Sequence, residues 1–383
     1  MQSYCPEGET PSHLYYNCRM RWPLLLLLLF LSVPAWTQTH SVVTDSTVVE
    51  DKNNFLALPV LFFRPETRWG FGVAGLYAFH LGKQTAISRP SQVQMVFAYT
   101  QNNQIIWYAP FKLFSGDRKY TVYGEVGIYR FSYFFYGVGN DVDPDFDESF
   151  QVTFPRFRVT ALRKFRTNWF VGPRFWFQDY QVTEQAKDGL LEGGTIPGAD
   201  GGLSSGPGIV MQFDSRDNVF CPSKGSFVEA FAHYHGPEFA SDFDFTRYQI
   251  DARKYIANKR GDVLAFNAYG EFVVGHPPFH EMALMGGGSR MRGYYKGRYR
   301  DRNMAVLQTE LRSPLFWKLG AVAFVSSGVV EKYPGRFEWD HVRTTAGAGL
   351  RVMVYPKKKI NLRLDAAFGK NTRGFYLTVG ESF

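Results

Sequence analysis

Cysteine is scarce, with three in 383 residues. Cys5 and Cys18 stand near the start and only Cys221 follows. A disulfide framework is therefore excluded for the body of the chain, whose stability must come from elsewhere. Long apolar runs are missing after residue 40. That excludes a bundle of membrane-crossing helices, each of which needs about 20 apolar residues. Helical periodicity of useful length is missing over the same stretch. A basic block is missing too. The net charge is +8 and the pI about 9.2, but Lys and Arg interleave with Asp and Glu. A nucleic-acid arm would cluster its cations, so nucleic acid is not an expected partner.

Aromatics and glycine are abundant instead: Phe, Trp and Tyr make up 17% of the chain and glycine counts 37. The chain is 45% hydrophobic, yet its mean hydropathy is −0.23. Many alternating strands produce this combination. The N-terminus reads differently. Arg19 and Arg21 precede Leu24–Leu29, Phe30 and Leu31, and then Val33, Pro34, Ala35, Trp36 and Thr37. A positive segment, a short apolar core and small residues near a cut site describe a secretory signal peptide over 1–37. Cleavage is expected near Thr37–Gln38. Met20 is the more usual start, which makes 1–19 an extension.

After residue 54 the pattern has period two. In 119–130, Tyr120, Val122, Gly124, Val126 and Ile128 share one face, and Thr121, Tyr123, Glu125, Gly127 and Tyr129 the other. Successive strand side chains point to opposite faces, so each such segment has an apolar and a polar side. Sixteen segments are expected: 55–63, 70–81, 91–101, 104–113, 119–131, 150–163, 168–180, 205–213, 225–234, 244–256, 262–273, 302–312, 319–327, 343–352, 360–367 and 374–383. Many reach the length a tilted membrane-crossing strand needs, about 9–11 residues; strands in soluble proteins average about 5–6. The long connections all fall in one alternate set, as outer loops do opposite short periplasmic turns. Trp69, Phe131, Tyr133, Phe134, Tyr180, Trp317 and Tyr355 stand near strand ends, where interfacial girdles are expected. The fold class is thus all-β: a transmembrane antiparallel β-barrel of about 16 strands in the outer membrane of a Gram-negative bacterium. Residues 38–54 form a short periplasmic lead and 55–383 the barrel. In the last strand Phe375, Leu377, Val379 and Phe383 share a face, with Gly380 among them. This terminal segment is expected to be the insertion signal read by barrel-assembly machinery.

Several stretches of the second half resemble one family. "FDSRDNVFCPSKGSFVE" (213–229), "MRGY" (291–294), "TELRSPL" (309–315) and "LTVGESF" (377–383) occur in the order found in the barrel domain of the BamA/TamA family, also called bacterial surface antigen proteins. "FFYGVGND" (134–141) resembles a further loop of related proteins. The resemblance covers about residues 55–383. It implies that a loop at about 274–301 folds into the lumen, where Arg292, followed by Gly293 and Tyr294, meets Glu310 and the Phe324 ring. Ser326 stands where the family pattern has an aspartate, so Arg292 is expected to lose one carboxylate. The family's periplasmic POTRA domains cannot fit into a lead of about 17 residues, since folded domains rarely fall below about 40. A barrel-only member is therefore expected. The resemblance implies assembly, insertion or translocation of outer-membrane proteins; a passive or loop-gated small-solute pore, or a structural barrel, is the alternative. Expected partners are outer-membrane lipids and lipopolysaccharide, the barrel-assembly machinery and client outer-membrane proteins.

Other motifs carry less. His233 and His235 in "HYH" read as solvated loop-edge histidines rather than a metal pair. Asp141, Asp143, Asp145 and Asp147 alternate in "DVDPDFDE", but a calcium loop wants glycine where Phe146 stands, so a solvated outer loop is expected. The Gly-rich 192–208 reads as a flexible loop. No serine and histidine pair at a spacing suited to nucleophilic catalysis. No enzyme activity, cofactor or metal is expected. Finally, Arg298, Arg300 and Arg302 in "GGGSRMRGYYKGRYRD" (286–301 and beyond) are expected to line the loop's way back out.

Overall fold

Period-two alternation becomes sixteen antiparallel strands in a computed structural model that describes residues 54–64, 68–81, 91–101, 103–115, 119–143, 146–356 and 359–383. The strands are β1 Asn54–Arg64, β2 Arg68–Phe79, β3 Ser91–Thr100, β4 Ile105–Phe114, β5 Tyr120–Phe135, β6 Glu148–Arg166, β7 Trp169–Glu184 and β8 Gly201–Asp214. They continue as β9 Gly225–His235, β10 Phe245–Ala257, β11 Val263–Gly275, β12 Asn303–Pro314, β13 Leu319–Glu331, β14 Arg343–Tyr355, β15 Ile360–Gly369 and β16 Thr372–Val379. Each pairs with its sequence neighbour, so a single meander runs from β1 to β16. All sixteen expected segments are strands. The expected signal peptide, and the lead up to residue 53, lie outside the described residues.

The two faces of the wall differ as the alternation requires. Val126, Ile128, Ile209, Leu307, Leu311 and Leu364 are exposed on the outer face, where the barrel meets lipid. Glu125, Glu229, Gln308, Glu310 and Asp365 are buried on the inner one. The connections 136–147, 185–200, 276–302 and 332–342 are long and lie at one end of the barrel, while 167–168, 258–262 and 315–318 are short turns at the other.

Two expectations about faces need correction. Phe131 and Tyr180 do not join an interfacial girdle. Both are buried on the luminal face, Phe131 on the same side of β5 as Glu125, and Tyr180 in a core with Phe135, Phe150 and Phe279. Trp317, 84% exposed at a short turn, does suit a girdle. The Gly-rich 192–208 is also not all loop, because β8 begins at Gly201.

Prolines interrupt the ladders. β3–β4 pairing stops at Val93↔Phe111 and resumes at Val96↔Tyr108, with Pro110 in the gap. β6–β7 pairing lacks the rungs at Pro155 and at Pro173. Proline has no N–H to give to a neighbour, so such positions weaken a ladder that lipid cannot hydrate. Among the described residues no ladder joins β1 to β16.

Candidate functional site

Connection 276–302 enters the barrel as a hairpin, Ala283–Met285 paired with Tyr299–Asp301. Its tip places Arg292 against β12, β13 and β15. The guanidinium is 0% exposed. It pairs with Glu310 of β12 and with Asp365 of β15 at 2.6 Å, and its Cζ lies 3.4 Å from the centre of the Phe324 ring. Period two explains the wall. Gln308, Glu310 and Arg312 share the luminal face of β12, and Glu310 stands opposite Phe324 of β13. Space for the group comes from the bare backbone of β14. A Cβ at Gly347 would lie 2.4 Å from the Phe324 ring, and one at Gly349 would lie 2.0 Å from an Asp365 oxygen.

A buried cation needs anionic partners and further hydrogen bonds to offset its desolvation. Here the pairing continues outward. Arg312 bonds Glu310 at 2.9 Å, while Arg351 bonds Asp365 at 2.6 Å and Glu381 at 2.7 Å. Arg363 approaches Asp365 at 3.5 Å and donates to the Gly288 carbonyl at 3.3 Å. The loop backbone is held as well. The Gly293 N–H donates to the Tyr376 hydroxyl at 2.9 Å, and the Thr372 hydroxyl donates to the Gly293 carbonyl at 2.7 Å. Gly293 has φ +111, and a Cβ there would also press on Thr345 at 3.0 Å. Met291 sits at φ 77, a left-handed conformation that costs a residue with a side chain about 1–3 kcal/mol unless its surroundings enforce it. Its N–H donates to Gln308 at 3.2 Å. Tyr294 is buried beside it and meets Tyr299 edge-on at 5.3 Å.

The expected loss of a carboxylate is therefore made good. Asp365, two strands away from Ser326, supplies the second acid. Ser326 has different work: its hydroxyl donates to Gln308 at 3.2 Å, and Gln308 in turn donates to the Ser289 carbonyl at 2.8 Å. The end of the chain also departs from expectation. β16 stops at Val379, Gly380 turns with φ +89, and Phe383 packs inward with Tyr255, Val263 and Ala265. Phe375 is exposed on the outer face, but Phe383 does not share it. Glu381 and Phe383 instead finish the charged wall, since Arg312 donates to the Phe383 carbonyl at 3.0 Å.

A second grip lies on the entering limb, and sequence reasoning missed it. Phe279 is fully buried against Phe135, Phe150 and Tyr180. His280 stacks on Tyr180 at 3.9 Å. Glu281 takes Arg247 at 2.5 Å and Gln178 at 3.2 Å. The Arg247 guanidinium beside Glu281 holds that carboxyl well below the usual range, against the effect of burial. Burial pushes His280 down to about 3. On the returning limb Arg298 lies over Tyr136 and Arg300 over Phe135, while Arg302 is half-buried. Only period two could have placed Arg247 on the luminal face; the loop's path to it has no sequence signal.

The remaining candidates resolve plainly. His233 and His235 are buried, not solvated, and stack between Trp176 and Phe245. Among the described residues no three His, Cys, Asp or Glu side chains gather as metal ligands. In "DVDPDFDE" the terminal Glu148 is buried and accepts the Leu190 N–H at 2.8 Å, which ties down connection 185–200; Asp145 lies outside the described residues.

A family model for the Omp85 superfamily domain matches residues 111–383. Among solved structures, BamA from Haemophilus ducreyi lacking POTRA domains 1–3 aligns with TM-score 0.58 and 12% identity, over 86% of this chain and 69% of that one. CdiB from Acinetobacter baumannii aligns with TM-score 0.57 and 10% identity, over 86% and 60%. CdiB from Escherichia coli gives 0.56 and 14%, over 87% and 62%. At these identities the likeness is one of fold, and this chain spans well under the full length of each. No curated protein matches. The Omp85 match runs from β4 to the last residue and includes the loop with its acidic cradle, so the protein belongs to the Omp85 superfamily and is an outer-membrane β-barrel of a Gram-negative bacterium.

Proposed function

We propose that this barrel assists insertion or translocation of proteins at the outer membrane, with no bond-making chemistry of its own. One observation carries the reading: the luminal loop grips β5–β7, β10–β13, β15 and β16, but among the described residues it makes no ion pair with β1–β4. Its ion pairs, Arg247–Glu281, Arg290–Glu271, Arg292–Glu310 and Arg292–Asp365, reach β10, β11, β12 and β15. None of these partners lies on β1–β4. The wall nearest the first strand can therefore part from β16 while the loop stays locked, and a client strand can pair with the freed edge. Family membership supports the same reading.

In this scheme Arg292, Gly293, Tyr294, Glu310, Phe324 and Ser326, joined by Asp365, are the lock. Phe375, Leu377, Val379, Gly380 and Phe383 form the terminal segment presented to assembly machinery during the barrel's own biogenesis. Residues 1–37 act as leader, 38–54 as lead and 55–383 as barrel. Outer-membrane proteins are the clients, and lipids with lipopolysaccharide the surroundings. Co-reconstitution in liposomes with a second, unfolded barrel protein tests the reading. Accelerated folding of the client is expected. Unchanged folding, together with a steady conductance that rises on deletion of 286–301, would replace insertion with a loop-gated solute pore.

A further inference from the structure

The lipid-facing side of β5–β8 ends, at the short-turn rim, in a band of aromatic rings and cations. Arg163 of β6 stands opposite Tyr120 of β5, and its Cζ lies 6.0 Å from the centre of the Tyr120 ring. Across β7 it faces Val171, whose own partner on β8 is Met211, exposed on the outer face. The β6–β7 register then shifts. Lys164 pairs with Phe170, Phe165 has no partner in the ladder, and Arg166 pairs with Trp169. Such a bulge re-aims the side chains beside it. Strict alternation would turn Arg166 toward the lumen; the extra residue returns it to the outer face with Arg163 and Phe165. Phe165 lies 6.4 Å from the Trp169 ring, and Trp169 lies 5.0 Å from Phe213 of β8. Arg163, Phe165 and Arg166 are all exposed, and among the described residues neither arginine has a carboxylate partner. The far end of the same strands is the reverse: Asp141, Asp143, Asp188 and Glu192 stand exposed in the long connections.

We propose that this patch binds the headgroup of a negatively charged phospholipid in the periplasmic leaflet, with Arg163 and Arg166 on its phosphate and Phe165 and Trp169 against the upper part of its chains. Depth favours this partner. Rings with an apolar body and a polar edge settle where acyl chains give way to headgroups, so Tyr120 and Trp169 mark that level at the bulge. A guanidinium held there meets phosphate oxygens, which its planar fork of donors fits. Charge favours it too. A zwitterionic headgroup brings its own cation, whereas two arginines without an acid leave a surplus that a net negative headgroup neutralises. A solvated turn would account for the arginines, but not for an exposed Phe165 beside them on the face that meets lipid.

The test is native mass spectrometry of the purified full chain in neutral detergent, with equimolar phosphatidylglycerol and phosphatidylcholine of matched chains. Each cation near a membrane surface contributes about a fivefold preference for anionic lipid, so phosphatidylglycerol adducts should exceed phosphatidylcholine adducts by roughly fivefold or more. The excess should fall by at least half in Arg163→Gln and in Arg166→Gln, and approach parity in the double variant. Replacing both arginines by lysine keeps the charge and should keep at least half of the excess. Both side chains are exposed, so the variants should fold, and heat-modifiable gel mobility checks this. Arg260→Gln, at the separate short turn 258–262, should change nothing. Equal binding of the two lipids by the native protein, or an undiminished excess in the double variant, overturns the proposal. So does an equal fall in Arg260→Gln, which would mean that the charge of the whole rim, rather than this patch, selects the lipid.

Discussion

β2–β4 and β12–β15 are walls of the same barrel with nearly interchangeable outer faces. Phe71, Val73, Met95 and Phe97 on the first side, and Leu307, Leu311, Leu350 and Leu364 on the second, all stand exposed toward lipid. Their inner faces differ. The first packs Ala74, Ala98 and Ile106 together, and its β3–β4 ladder breaks at Pro110. The second sets Glu310, Arg312, Arg351, Arg363 and Asp365 around an arginine from the loop. Alternation alone fixes which residues face lipid. What faces the lumen decides which wall is cross-linked to the loop and which is free to move.

The sharpest way to break this contrast is Arg292→Ala. It leaves Glu310 and Asp365 buried without their shared cation, at a cost of about 3–5 kcal/mol to the docked loop. Limited proteolysis within 286–301 should become fast while the barrel still forms. Asp365→Asn comes next. Arg292, Arg351 and Arg363 all lose an anionic partner, and a loss of about 2–3 kcal/mol is expected in thermal unfolding. Adding Ser326→Asp to that variant should recover part of the loss by returning a carboxylate to the position where the family pattern has one. No recovery would mean that the β15 site is not interchangeable with the β13 site.

Acid should act on the other grip of the loop, at β7 and β10. Docked His280 takes a proton only near pH 3, whereas its ordinary value is 6.5. The undocked loop therefore binds more protons below pH 6.5, and docking loses stability as pH falls from 6.5 toward 3, by about 2 kcal/mol at pH 5. Glu281 is held below its ordinary 4.5, so its contribution is present above that value and is lost in more acid solution. Protease access to the loop, followed from pH 8 to pH 5, should rise below 6.5 and flatten in His280→Phe. The smallest effect belongs to the β2–β4 wall. Pro110→Val restores an N–H to the β3–β4 ladder and should add under about 1 kcal/mol, seen as slower amide exchange at Gln94 and Met95.

The strands were legible because lipid outside and water inside impose period two on every one of them. Arg292, Glu310 and Phe324 were legible through a motif and through that same parity. Asp365 was not. It is one luminal acid among several, and only the glycines of β14 that let it reach across reveal its part. Phe383 was misread because parity stops at Gly380, whose backbone turns the last residues inward. His233 and His235 were misread because the end of β9 is still packed inside the barrel, between Trp176 of β7 and Phe245 of β10.

Amide hydrogen exchange compared between β2–β4 and β12–β15, in the native protein and in Arg292→Ala, tests the Arg292 lock most directly. Slower exchange is expected in β12–β15 of the native protein, and an acceleration in Arg292→Ala confined to the loop and to β12–β16. Equal exchange in both walls, or an acceleration that reaches β2–β4 to the same extent, would contradict it.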